Sequence, residues 1–244
     1  MLEDVGKPML WVYYLQGRIA LAEDDQTRAE DCFLELKKMV ADAARAPEDD
    51  ELRLAAMALK RLGAIERTRK DFLRAVGYHA TAYAYLLRAG SFRELHDVAV
   101  SLDVDHFMAG DAPGSLCWGQ RSLEFAEHIE DDRSRHRCMG MSLNNLAMWH
   151  ADIGDPARGV ELAEQSRECW TSYEEIAGAA ENRLIWAEYG VGYAQAKLAD
   201  ATDGDDAAAT ARASYDRALE LAEQRGLNDD DVQPIRDARA ELDG

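Results

Sequence analysis

The sequence lacks the features that place a chain in a membrane or in an oxidising compartment. No stretch approaches the ~20 uninterrupted apolar residues that span a bilayer. Residues 1–7 show no basic segment followed by an apolar run, so we expect no secretory signal. The four cysteines are spread singly, and no CxxC pair indicates a zinc or redox site. These absences favour a cytoplasmic protein with reduced thiols and no membrane partner.

Proline and strand patterns are also scarce. The chain has five prolines in 244 residues, and its long stretches rich in Ala, Leu, Glu and Arg favour helix throughout. Strict alternation of Val, Ile and Thr, which marks strands, is missing. Hydrophobic residues make up 47% of the chain, which is enough for a continuous core. We therefore predict an all-α protein.

Basic residues are fewer than acidic residues. The chain carries 47 acidic and 28 basic residues, a net charge of −19, and only six of the basic residues are lysines. A nucleic acid needs a basic face that replaces the counterions of its phosphates, so no nucleic-acid partner is expected. The acidity fits a salt-loving host or an ordinary solvated surface, and the sequence leaves both open.

Catalytic and cofactor motifs are missing as well. The sequence has no phosphate-binding Gly-x-x-x-x-Gly-Lys-Ser/Thr loop, no His-Glu-x-x-His pair and no Gly-x-Ser-x-Gly elbow. The glycine-rich segment 110–115 carries no lysine and is interpreted as a turn between two helices. Asp103 and His106 have the spacing of metal ligands on a helix, but a third ligand would have to come from elsewhere. We predict no catalytic residues, no metal and no cofactor.

The chain does contain an internal repeat, which is clearest from Ser142 to Ser166. Its first half places core-type residues on one helical stripe, at Leu143, Leu146, Ala147, His150 and Ile153. Gly154 can end this helix in the left-handed conformation. Asp155 then caps a second helix, and Pro156 occupies its first position, where a missing N–H costs nothing. The segment therefore predicts a hairpin of two helices.

This unit resembles a tetratricopeptide repeat (TPR), and residues 144–147 (Asn-Asn-Leu-Ala) resemble the longer repeats of kinesin light chains. Leu146-Ala147, His150, Gly154, Gly159 and Ala163 occupy the family's characteristic positions. Weaker copies recur, with anchors at Gly17, Gly63, Asp103 and Ala147. The anchors are 46, 40 and 44 residues apart, longer than the usual period of about 34. The resemblance is to the long-period bacterial or archaeal members.

The resemblance implies a right-handed superhelical solenoid of antiparallel helix hairpins. We expect one domain over residues 1–244, with five repeats near 8–46, 50–90, 92–130, 135–172 and 175–226. A polar capping helix over 229–242 would close the stack, since terminal repeats need a soluble face. The fifth repeat is expected to have its first helix around Glu181 to Ala199 and a long loop at residues 200–206.

In this family the first helix of each repeat lines a concave groove, which implies a set of partner-binding residues. Trp186, Tyr189 and Tyr193 lie at i, i+3 and i+7 and would face the groove if Gly192 occupies the anchor position. Tyr and Trp often supply binding energy at interfaces. The alternative is that these three rings pack against the capping helix. The same mapping adds the groove candidates Trp11, Tyr14, Arg18, Lys60, Arg67, Asn144 and Met148.

Three of these candidates, Arg18, Lys60 and Arg67, would form a basic spot in an acidic molecule. Such a spot suits an acidic peptide or a terminal carboxylate. The carboxylate clamp of chaperone-binding members is not supported, because only Lys60 and Asn145 occupy comparable positions. The resemblance thus implies a non-enzymatic scaffold for a protein or peptide partner. The alternatives are a regulatory array that senses a small ligand or peptide and, less favoured by the missing motifs, an enzyme.

Overall fold

The computed structural model describes residues 6–177 and 182–243, and within these ranges every regular element is an α-helix. Residues 1–5, part of the segment in which no secretory signal is expected, lie outside the described residues. So does Glu181, where the first helix of the fifth repeat was expected to begin. The described part contains eleven helices: α1 (Gly6–Ala22), α2 (Gln26–Ala41), α3 (Asp49–Thr68), α4 (Phe72–Ala89), α5 (Phe92–Met108), α6 (Ala112–Glu127), α7 (Asp132–Asp152), α8 (Pro156–Ala177), α9 (Arg183–Thr202), α10 (Asp205–Gln224) and α11 (Asp229–Glu241).

The helices form five successive hairpins, α1–α2 through α9–α10, and α11 packs against α10. The predicted fold class is therefore confirmed over the described residues: an all-α array of TPR-like hairpins with a terminal helix. Each hairpin buries small or apolar residues where its two helices face each other. In the first hairpin these are Tyr14, Ala20, Ala29, Phe33 and Leu36.

The turns inside the first four hairpins share one geometry. In each, the last residue before the second helix is an aspartate whose carboxylate accepts a hydrogen bond from a backbone N–H in the first turn. The residue before that aspartate has a positive φ, which ends the first helix. The turn pairs are Asp24-Asp25, Lys70-Asp71, Gly110-Asp111 and Gly154-Asp155. The predicted roles of Gly154, Asp155 and Pro156 are confirmed. The turn predicted over residues 110–115 is shorter than expected, because α6 begins at Ala112 and only Gly110 and Asp111 of that segment lie between the helices.

The anchor positions mark where paired helices approach most closely. A Cβ added to Gly17 would lie 2.6 Å from the Phe33 ring, and one on Gly63 would collide with His79. In the third hairpin the anchor Asp103 is buried and accepts a hydrogen bond from the Ser115 hydroxyl at 2.7 Å. The anchors therefore set helix spacing, either through a missing side chain or through a buried polar pair.

The chain divides into two compact units, Met1–Trp118 and Gly119–Gly244, with the division inside α6. In the first unit the core is mainly leucine and alanine from α3, α4 and α5. In the second unit one cluster joins α9, α10 and α11 through Ile185, Tyr215, Ala218, Val232 and Ile235. The candidate residues are therefore described separately for each unit.

The fifth hairpin differs from the expectation at its turn. The predicted loop at 200–206 is wrong, because α9 continues to Thr202 and α10 begins at Asp205. Asp203, with φ of 49°, and Gly204 complete the turn in two residues. Gly192 lies against Tyr215, where an added Cβ would stand 2.6 Å from the ring, as Gly17 lies against Phe33. The extra length of this repeat is therefore helical.

Candidate binding surface

Three successive first helices of the first unit, α1, α3 and α5, contribute to one pocket of about 230 Å³. Three of the predicted groove residues line it. Tyr14, from α1, is 3% exposed and forms a wall, whereas Lys60 and Arg67, from α3, are half-buried. The complete lining is Tyr14, Met57, Lys60, Arg61, Ala64, Arg67, His79 and Ser101.

A second pocket of about 280 Å³ adjoins the first, since Met57 lines both. Trp11 is 52% exposed, lines this second pocket and stacks edge-on against Tyr14 at a centroid distance of 6.1 Å. Across the pocket, Arg53 donates to both carboxylate oxygens of Glu94 at 3.1 Å. We call the two pockets together the first-unit groove. In this second pocket the groove has the exposed indole of Trp11 and the ion pair of Arg53 with Glu94.

A buried polar network forms the floor of the first-unit groove. The Asp105 carboxylate, on α5, is fully buried and contacts Arg67 Nε and His79 Nδ1, each at 2.5 Å. His79 Nε2 lies 3.2 Å from the Lys60 carbonyl oxygen. Both ring nitrogens of His79 thus lie within hydrogen-bond distance of an oxygen atom, Nδ1 of the Asp105 carboxylate and Nε2 of the Lys60 carbonyl. Arg67 also donates to the Ser101 carbonyl oxygen at 3.0 Å.

Two of the three residues of the predicted basic spot already have acidic partners. The Arg67 charge is engaged by Asp105, and the Lys60 ammonium lies 3.6 Å from Asp97. Arg18 and Arg61 are exposed, and neither has an ion-pair partner among the described residues. Among the pocket-lining residues, the side chain available to an incoming anion is therefore Arg61, with Lys60 in the same lining, whereas Arg18 is exposed on α1 and lines neither pocket.

In the second unit, two of the predicted aromatic residues pack inward. Trp186 and Tyr189 are half-buried and pack against the cluster that contains Val232 and Ile235 of α11. The Tyr189 ring lies 5.7 Å from the buried Tyr215 ring. For these two residues the arrangement matches the alternative reading, in which the rings pack against the terminal helix.

Tyr193, the third ring, is engaged on the surface of the second unit. Its hydroxyl donates to Asp152 of α7, and the Lys197 ammonium lies 5.3 Å from the ring centroid. Burial and the bond to Asp152 raise the pKa of the Tyr193 hydroxyl, so it stays protonated at neutral pH. These contacts join α7 to α9 beside the half-buried residues Asn144 and Met148.

Asn144 and Met148 contact each other along α7. The Asn144 amide nitrogen lies 3.8 Å from the Met148 sulfur, and its oxygen is buried with no hydrogen-bond partner among the described residues. An added Cβ on Gly190 would stand 2.5 Å from that oxygen, so α9 approaches α7 closely here. Asn144 therefore lies at the contact between α7 and α9, and its side chain is also partly exposed at their surface.

No protein-family profile matches this sequence, and no curated protein matches it. The solved structures that carry the same fold include the following three. BtubC (BKLC) from P. vanneervenii aligns with a TM-score of 0.71 and 14% identity, over 88% of this chain and 80% of that one. The apo form of RapI aligns with a TM-score of 0.70 and 11% identity, over 96% and 82%. The TPR-like repeats of a putative kinesin light chain from Podosopora anserina align with a TM-score of 0.61 and 12% identity, over 88% and 96%.

The chain has a TPR-like fold. At these identities the likeness concerns the fold alone, and it agrees with the resemblance of residues 144–147 to kinesin light chain repeats. No helix in the described part of this TPR-like chain combines the length and apolar character needed to cross a bilayer.

Asp103 and His106 do not converge on one site in the TPR-like array. Asp103 accepts from Ser115 in the interior, whereas His106 Nδ1 lies 2.8 Å from the Asp111 carboxylate that caps α6. Their i, i+3 spacing therefore reflects two separate polar contacts, each belonging to the α5–α6 hairpin.

Sequence reasoning missed several residues of the first-unit groove. Met57, Lys60, Arg61 and Ala64 follow i, i+3, i+4 and i+7 spacing on α3, so a helical-face analysis could have found Arg61 and Met57. No local signal could have found Asp105, because its partners His79 and Arg67 are 26 and 38 residues away in the chain.

Proposed function

We propose that this protein is a non-enzymatic interaction module that binds an extended segment of a partner protein in the first-unit groove. The segment carries an apolar side chain for Trp11 and Met57 and an acidic group for Arg18, Lys60 and Arg61. The observation that carries the proposal is that the exposed Trp11, the apolar Met57 and the cationic Arg61 line two adjoining pockets to which three first helices contribute.

The apolar part of the groove suits a side-chain anchor. Trp11 is 52% exposed beside a pocket of about 280 Å³, and exposed Trp residues are often the strongest contributors at interfaces. Tyr14 and the Asp105 network hold the wall and floor in place. A preorganised site loses less conformational entropy when a partner binds.

The charged part of the groove gives the site its selectivity. The chain as a whole carries −19, which repels acidic molecules at long range. Arg18 and Arg61 have no competing carboxylate among the described residues, so an acidic group that arrives on an anchored segment gains charge-assisted hydrogen bonds there. Binding therefore requires the anchor and the acid together.

A peptide-display selection tests this function. Wild-type protein is expected to enrich peptides that place Asp or Glu within a few residues of a large apolar side chain. Trp11→Ala and Arg61→Glu should each weaken binding of an enriched peptide by ~10-fold or more, the loss of about 1.4 kcal/mol. Leu87→Ala and Lys38→Glu are matched controls, since both side chains are exposed on second helices.

Enrichment of peptides with no acidic residue, or equal binding by wild type and both groove variants, would overturn the proposed site. The alternative function, a sensor of a small ligand, makes a different prediction. A sensor would gain thermal stability from a small metabolite by linkage, without any peptide. A thermal-shift screen on the same proteins separates the two functions.

A further inference from the structure

Helix α1 exposes a stripe of large apolar side chains that no other described residue covers. Met9, Val12, Leu15 and Ile19 are 38%, 41%, 51% and 53% exposed. At 100° per residue they lie within an arc of about 120° on the helix. We call these four residues the α1 stripe. Contiguous exposed apolar surface of this kind marks an interaction site more often than scattered apolar residues do.

The α1 stripe is separate from the core and borders the first-unit groove at Trp11. The core side of α1 carries Leu10, Tyr14 and Ala20, all buried. Trp11, one helical turn before Leu15, lies at the edge of the stripe and lines the groove. Packing of α1 against α2 and α3 therefore leaves the stripe free, and the fold does not need its apolar character.

The charge distribution favours a second copy of the chain as the occupant of the stripe. Residues 6–22 contain no aspartate or glutamate, although the chain carries 47 acidic residues in all. Two copies with a charge of −19 each repel one another over most of their surface. The repulsion is weakest where α1 faces α1. At the other end of the chain, α11 begins with three exposed aspartates and offers no such surface.

The stripe is also symmetric about its centre. Val12 and Ile19 lie at equal distances along the helix from the midpoint between Leu15 and Gln16. When two α1 helices cross antiparallel at that midpoint, Val12 of one copy meets Ile19 of the other, and the two Leu15 side chains flank the axis. Such a self-complementary patch is what a two-fold dimer requires.

We propose that the protein forms a two-fold dimer through the α1 stripe, with a second copy of this chain as the occupant. The four apolar side chains leave water when the copies meet, which supplies the driving force. The dimer contact uses the four stripe residues and borders Trp11, whereas the proposed peptide-binding function uses Trp11 and the pockets, so the chain mass tests the dimer separately from peptide binding.

Sedimentation equilibrium and light scattering over a wide concentration range test the dimer. The wild type is expected to reach twice its chain mass of 27.2 kDa. Leu15→Glu and Ile19→Glu should each return it to the monomer, with helical content unchanged because both side chains are exposed. Leu87→Glu, a similarly exposed leucine on α4, should leave the dimer intact. A monomeric wild type, or a dimer that survives both stripe variants, overturns the proposal.

Cross-linking tests the symmetry directly. In a Cys117→Ser background, which removes the exposed thiol, Gln16→Cys places one cysteine beside the two-fold axis. A short bis-maleimide should then link two chains in high yield. Thr27→Cys, an exposed position on α2, should stay unlinked. Equal yields at both positions, or no link at Gln16→Cys, contradict the antiparallel α1 contact.

Discussion

Arg67 of α3 and Asp105 of α5 form an ion pair at 2.5 Å, with the carboxylate fully buried and the guanidinium at the edge of the first-unit groove. The pair ties the first helix of the second hairpin to that of the third. His79 completes it from α4, so three helices share one carboxylate. The same contact removes Arg67 from the residues that can neutralise a partner and shapes the floor against which a partner would lie.

Removing this carboxylate should destabilise the first unit. Asp105→Ala leaves Arg67 and the buried His79 without their acceptor, and we expect a loss of about 3 kcal/mol in the free energy of unfolding. Urea unfolding followed by circular dichroism measures it. Asp49→Ala is the control, because Asp49 is exposed and forms its ion pair with the exposed Arg88 at 3.3 Å on the surface of the same unit. Equal, small losses for both variants would show that the network contributes little.

The close approach at Gly192 predicts opposite effects for two glycine-to-alanine changes. Gly192→Ala puts a methyl group 2.6 Å from the Tyr215 ring, and we expect a destabilisation of about 1–3 kcal/mol from overpacking. Gly77→Ala meets nothing within 4 Å inside α4 and should stabilise by about 0.5–1 kcal/mol. Thermal unfolding compares them. A stabilising Gly192→Ala would mean that α9 and α10 are further apart than the structure shows.

Glu188 predicts a pH-dependent stability in the second unit. Burial raises the pKa of this carboxyl above its ordinary 4.5, although Arg167 and Arg217 oppose the rise. The folded state therefore binds the proton more tightly than the unfolded state. As pH falls from neutral through the folded-state pKa, the cost of burying the charge is relieved and the wild type gains stability.

The Glu188→Gln variant lacks this titration, so the wild type should gain stability relative to it as pH falls toward 4.5. Urea unfolding at several pH values between neutral and 4.5 measures the difference. Glu220→Gln, at an exposed position on α10, should track the wild type throughout. A difference between wild type and Glu188→Gln that stays constant or shrinks on acidification would contradict the assigned environment.

The four thiols should react at very different rates with iodoacetamide. Burial raises the pKa of Cys169 to about 11, which keeps its thiolate scarce in mildly alkaline buffer. Cys138 is fully buried, whereas Cys117 is exposed on α6. Mass spectrometry should find Cys117 alkylated first, and Cys117→Ser should remove the fast phase. A fast phase that persists in Cys117→Ser would place an exposed thiol elsewhere.

Local chemistry made most of the fold predictable. The Gly154-Asp155-Pro156 sequence combines a helix stop, a cap and a first-turn proline, so the α7–α8 hairpin followed directly. Aspartate caps recur at the equivalent turns even where the preceding residue is Asp24 or Lys70. The long loop predicted for the fifth turn was wrong. Residues 200–206 are rich in Asp, Gly and Thr, which favour loops. There, helix packing outweighed local preference.

The site was less predictable because its residues serve two purposes. Trp186 and Tyr189 have the spacing of a groove face, but the terminal helix supplies apolar residues against which they pack. Arg67 has the right register for a binding cation, yet Asp105 engages it from 38 positions away. Periodicity places a side chain on a helical face, but it cannot say which distant group also reaches that face.

Site-specific photocross-linking tests the central claim, that the first-unit groove holds a partner, most directly. A photoreactive phenylalanine analogue replaces Trp11 in the groove or Leu87 on an exposed second-helix face, and each protein is irradiated in a lysate of the source organism. The account predicts one dominant protein adduct at position 11, absent at position 87 and lost when Arg61→Glu is added. The same adducts at both positions, or an adduct at position 11 whose yield is unchanged by Arg61→Glu, would contradict the account.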